Sequence, residues 1–111
     1  MSAVQEILEA IARARVAARR MVLAQSLADD VGVQLAFQAV LHNLTVIGEA
    51  VKAIPSEQRD RVPDFPWDEY AAVTDVIEPT YHQIAPAEIQ RTLEAALEPL
   101  EAAVERISPR R

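Results

Sequence analysis

Apolar residues recur at intervals of three and four along most of this chain, the period of an α-helix with one buried face. Val4, Ile7, Leu8, Ile11, Ala14, Ala18 and Met21 form the first stripe and predict a helix from Val4 to about Ala28. Its other face carries Glu6, Glu9, Arg13 and Arg20, with Glu9 and Arg13 spaced i, i+4 in the favourable acid-first order. Asp29-Asp30, ahead of Val31-Gly32, reads as a break or as an N-cap for the next helix. A second helix is expected from about Val33 to Ala53, with Val33, Phe37, Val40, Leu41, Leu44, Ile47 and Val51 on its apolar face and Pro55 ending it. Gly48 inside it costs about 1 kcal/mol against alanine and points to close helix packing. Residues 56–65 read as a connector. Pro66 suits the first position of a third helix, followed by Asp68 and Glu69 at its positive end and by Tyr70, Val73 and Ile77 as a buried stripe. Pro79 should end or kink that helix near Ile77 or Glu78. The last helix begins near Pro86 on the stripe Ile89, Leu93, Leu97, Leu100, Val104 and Ile107, with a kink expected at Pro99 and a frayed tail beyond. The sum is an all-α, up-and-down bundle of four to five helices in a single domain.

Composition agrees. Of 111 residues half are apolar and only two are glycine, too few for turn-rich β architecture. The net charge of −6 weakens a dedicated nucleic-acid role, which normally needs a basic surplus. With no cysteine, disulfides and thiolate metal sites are excluded. His42 and His82 are far apart, and no metal, nucleotide or dinucleotide motif is present, so neither a metal nor a cofactor is expected. No apolar run approaches the roughly 18 residues of a membrane span, and no signal-like block opens the chain, so a cytoplasmic protein without a membrane partner is expected.

The segment from Phe65 to Ile84 is the exception to this regular patterning. It opens as a helix start and ends in the polar cluster Glu78, Thr80, Tyr81 and His82, broken by Pro79 where an apolar face should continue. Together with Val46-Ile47-Gly48-Glu49-Ala50, the connector Pro63-Asp64-Phe65-Pro66-Trp67 and the Leu97–Leu100 run Leu-Glu-Pro-Leu, this segment resembles the HepT-like branch of the HEPN superfamily. About two thirds of the chain takes part, in the right order. The resemblance implies the toxin of a toxin–antitoxin module, a homodimer of helical bundles paired around the third-helix segment, and a partner nucleotidyltransferase of the MntA type as antitoxin. It further implies metal-independent RNA cleavage through the ribose 2′-hydroxyl, by an arginine and a histidine four to six residues apart. A tyrosine two residues past the histidine is the one the partner modifies with AMP. The residue types suit that chemistry: histidine titrates near neutrality, and arginine offers a fixed, planar, bidentate cation to phosphate.

Laid on that pattern, the arginine position falls on Thr74, the next polar position on Asp75, the histidine position on Pro79 and the tyrosine position on Tyr81. Only the tyrosine is present, and no arginine stands four to six residues ahead of either histidine. The resemblance therefore implies a HEPN ribonuclease frame whose catalytic pair is missing, through natural degeneracy or a loss-of-function change, and for which RNA binding is doubtful. The alternative is a non-enzymatic binding subunit for the nucleotidyltransferase; a helical dimerisation module is the plainest reading.

Each singled-out residue carries two readings. Tyr81 is an AMP acceptor or a core-edge tyrosine. His82 substitutes for the missing histidine or is simply solvated. Glu49 helps position groove residues or pairs within its helix with Lys52 at i+3. Trp67 reads as a packing anchor at a helix start. His42, beside Leu41 and Leu44, reads as a partly buried structural histidine. Arg13, Arg15, Arg19 and Arg20 are a nucleic-acid contact or, since they surround their helix without forming one stripe, a solvated surface; Arg59 and Arg61 on the connector are a contact to phosphate or the partner, or plain surface charge.

Overall fold

The computed structural model describes residues 2–72 and 85–107, which form five helices. They are α1 (Ala3–Ser26), α2 (Asp30–Lys52), α3 (Ser56–Arg59), α4 (Trp67–Ala71) and α5 (Pro86–Ile107). No strand occurs among the described residues, and the all-α bundle is the observed architecture.

Helices α1 and α2 form an antiparallel hairpin, and α5 packs along α1. Ser2 caps α1 by accepting a hydrogen bond from the Gln5 amide at 3.1 Å. Asp29 caps α2 in the same way, accepting from the Gly32 amide at 2.9 Å. Both readings of Asp29-Asp30 hold: the helix breaks over Leu27–Asp29, and Asp29 caps α2, which starts three residues earlier than the stripe implied, with Gly32 in its first turn. Between the helices, Ala28 sits in the left-handed region at φ 55°. Its amide bonds the Gln25 carbonyl, and the Asp29 amide bonds the Ala24 carbonyl. This is a Schellman closure with alanine where glycine is usual.

The core holds Ile7, Ile11 and Met21 of α1, Val40, Leu44, Ile47 and Val51 of α2, and Leu93, Leu97, Leu100, Val104 and Ile107 of α5, all at most 1% exposed. Every residue of the expected last stripe is buried. Helix α5 continues through Pro99. Pro99 and Ala95 both face solvent, so the carbonyl that proline leaves without a donor can be met by water.

Three expectations are corrected. The connector holds a turn of helix, α3, started by Pro55 at φ −58°. Helix α4 closes at Ala72, whose φ of −114° is no longer helical, so the expected third helix does not run unbroken from Pro66; residues 73–84, Val73, Ile77 and Pro79 among them, lie outside the described residues. Finally, α2 is by length and composition apolar enough to cross a membrane. One of its faces lines the core, yet only a third of that apolar stretch is buried.

Candidate functional site

The described start of the third-helix segment is well anchored. Trp67 is buried, and its indole N–H donates to the Val62 carbonyl at 3.1 Å. Phe65 packs edge-on against Trp67 with ring centres 4.6 Å apart, and lies 4.8 Å from the Tyr70 ring at a 30° tilt. Tyr70 is half-buried, and its hydroxyl donates to the Ala96 carbonyl of α5 at 2.7 Å. Burial, helped by the charge of Glu69, raises its pKa above the ordinary 10.0. Arg61 donates to the Ile107 carbonyl at 3.2 Å and ties the connector to the end of α5. The packing role expected of Trp67 is what the structure shows, while Arg61 does more than sit on the surface.

Gly48 brings α4 onto α2. A methyl group there would lie 2.7 Å from the Ala71 carbonyl oxygen, so only glycine allows this approach without a shift. The inference of close packing from Gly48 is therefore correct. Glu49 follows it in sequence, exposed, and accepts from Lys52 Nζ at 3.3 Å, the intrahelical pairing expected as one of its two readings. Its backbone nevertheless adjoins the exit of α4, from which the chain enters the motif positions. Thr74, Asp75, Pro79, Tyr81 and His82 lie outside the described residues.

The described surroundings are poor in free positive charge. Glu49, Asp68 and Glu69 are exposed there. Of the nearby cations, Lys52 is engaged by Glu49 and Arg59 lies 3.9 Å from Asp68. A phosphate chain approaching the α4 exit meets more acid than base. No group of three or more metal-ligating side chains occurs among the described residues.

Two polar arrangements escaped the sequence reading. Asn43 is buried, donates to the Ala39 carbonyl at 2.8 Å and accepts from Arg13 Nε at 2.8 Å. Its signal was legible: a polar residue three after Val40 and four before Ile47 stands on the apolar face. Arg15 makes a two-pronged pair with Glu94, both bonds 2.9 Å, and reaches Glu101 at 3.0 Å. Its pKa is raised, first by the hydrogen bond to Glu94. Nothing local in sequence announces a pair 79 residues apart. Arg13 and Arg15 are thus bound to specific partners, whereas Arg19 and Arg20 are exposed as expected. His42 is exposed, which corrects the expectation of a partly buried histidine; the residue turned inward is its neighbour Asn43.

Comparison with known proteins bears on the whole chain. A family model described as Ribonuclease HepT-like matches residues 7–107. No curated protein and no solved structure matches.

Proposed function

Because this chain belongs to the HepT-like ribonuclease family, we propose that it is a toxin-type member of a toxin–antitoxin module that has lost RNA cleavage. The observation that carries this is the pair Thr74 and Pro79 at the positions of the family's arginine and histidine. In cleavage by the 2′-hydroxyl, that oxygen attacks the adjacent phosphorus as its proton passes to a base, and the 5′-oxygen leaves with a proton from an acid. Charge builds on the phosphoryl oxygens between the two steps. Pro79 has no side-chain atom that takes or gives a proton. Thr74 carries no charge to set against the phosphoryl oxygens, and Asp75 and Glu78 add negative charge beside them.

The experiment compares the unaltered chain with a Thr74→Arg, Pro79→His double variant on single-stranded RNA without metal. Only the double variant is expected to cut, leaving cyclic-phosphate ends. Cleavage by the unaltered chain sinks the proposal.

A second reading, a binding subunit for a minimal nucleotidyltransferase, is favoured by one specific residue: Tyr81 is retained while the catalytic pair around it is not. With ATP and an MntA-type partner, the chain should gain mass in AMP units, and Tyr81→Phe should abolish the gain. A gain that persists in Tyr81→Phe rejects Tyr81 as acceptor.

A further inference from the structure

A groove of about 780 Å³ runs along the hairpin, lined by α1 and α2. Its two ends differ in chemistry. Towards the closed end of the hairpin the walls are apolar: Leu23 and Leu27 of α1 and Leu35 of α2 stand at the rim, 58%, 69% and 62% exposed. Ala24 and Gly32 make the floor there, so close together that a methyl group on Gly32 would lie 3.1 Å from the Ala24 Cβ. Towards the middle of the hairpin the lining becomes cationic. Arg20 and Arg13 enter it from α1, two turns apart on one stripe. Arg13 is oriented by the buried Asn43, which accepts from its Nε at 2.8 Å, while Glu9 approaches its guanidinium only to 3.9 Å. Arg20 is exposed and has no ion-pair partner among the described residues. Among those residues the lining holds one acid, Asp29, at the far end, with a carboxylate oxygen engaged by the Gly32 amide. Isolated surface leucines need no explanation, but three around a groove that ends in two arginines do.

We propose that this groove binds a free single-chain carboxylate of the fatty-acid type, its head at Arg20 and Arg13 and its hydrocarbon chain laid towards the closed end. The first argument is polarity. Cations at one end and apolar walls at the other match an anionic amphiphile, and a guanidinium offers a carboxylate two parallel donors. The second is size. The volume lies within the range of small-molecule sites. From Arg13 to Leu27 the groove runs about 21 Å at about 1.5 Å per residue, long and narrow as a hydrocarbon chain is. The third is the cross-section. Small residues on the floor leave room for the chain, and the rim leucines can fold over it and remove apolar surface on both partners from water. A bilayer fits less well, because Asp29 and Asp30 at the tip would meet anionic headgroups with like charge. The Schellman closure at Ala28 and the Asp29 cap hold the tip in shape before binding, which limits the ordering cost. This site rests on the hairpin alone, independently of any RNA or nucleotidyltransferase role.

Isothermal titration of the full chain with laurate, below its micelle-forming concentration, decides it, with circular dichroism as a check that each variant is folded. One laurate per chain should bind, and added salt should weaken it. Arg20→Glu and Leu35→Glu change exposed side chains and are therefore compatible with the fold. Each should raise the dissociation constant about tenfold, the first by replacing attraction with repulsion and the second by placing a charge where the chain lies. Dodecyltrimethylammonium, with a chain of the same length and the opposite charge, should bind the unaltered protein at least about tenfold more weakly than laurate, and Arg20→Glu should reverse that preference. Absence of laurate binding overturns the proposal, as does uptake of many equivalent laurates or binding indifferent to both substitutions. Equal affinity for the cationic amphiphile overturns the assigned head-group site. Flotation with vesicles of phosphatidylcholine and phosphatidylglycerol, lost in Leu35→Glu, also overturns it, in favour of the bilayer.

Discussion

A methyl group at position 48 meets the Ala71 carbonyl oxygen at 2.7 Å, and a backbone oxygen cannot rotate away. Gly48→Ala gains about 1 kcal/mol of helix propensity but overpacks the contact by about 1–3 kcal/mol. A net loss is expected in urea titration, where the same change at an exposed helical glycine would stabilise. Tyr70 offers a pH test. Its pKa is raised in the fold, so the neutral hydroxyl is the favoured form there, and its contribution is fully present below pH 10. Above that the unfolded chain gives up the proton first, and the contribution is lost as pH rises through the folded value. Tyr70→Phe should therefore lower stability by about 1 kcal/mol at neutral pH and by progressively less above pH 10. A constant difference between the two denaturation series across that range would refute the assignment. The residues at the heart of the family motif were legible as types but not as geometry. A sequence shows that Thr74 and Pro79 lack the needed groups; it cannot show that Asn43 turns inward while His42 turns out, because the two differ only by about 100° of helix rotation.

Among the elements, α1 and α5 were the most legible. Their stripes run without interruption, and a buried stripe keeps its helical register whatever packs on it. Short elements were less so. Helix α3 has four residues, none buried, and no periodicity can announce it. The early end of α4 at Ala72 likewise has no sequence signal, since Val73 and Ile77 continue the apolar spacing. The hairpin turn makes a prediction of its own. Ala28 holds a left-handed conformation that costs an L-residue about 1–2 kcal/mol. Ala28→Gly should raise stability by about 1 kcal/mol, the larger unfolded-state entropy of glycine taking back part of the gain. Thermal unfolding checks this, and a lower midpoint for Ala28→Gly would count against the Schellman closure.

For the whole molecule, charge and association matter most. A chain of net charge −6 attracts RNA weakly, and the Thr74→Arg, Pro79→His variant remains acidic. Its cleavage should accordingly fall only shallowly as salt rises, by about threefold between about 50 and 200 mM for the one phosphate contact that the added arginine supplies; rates at the two salt concentrations would show it. By itself the amino-acid sequence determined the all-α class, the buried faces of the long helices and the family frame. Each of these depends on residue identity and local period alone. Tertiary structure decided what depends on distance: the Arg15–Glu94–Glu101 cluster, the Gly48–Ala71 approach, and the leucines left outside the core. The period that places Leu23 and Leu35 on helices is the same whether they face a core or water. Only the packing of α1, α2 and α5 leaves that face of the hairpin open.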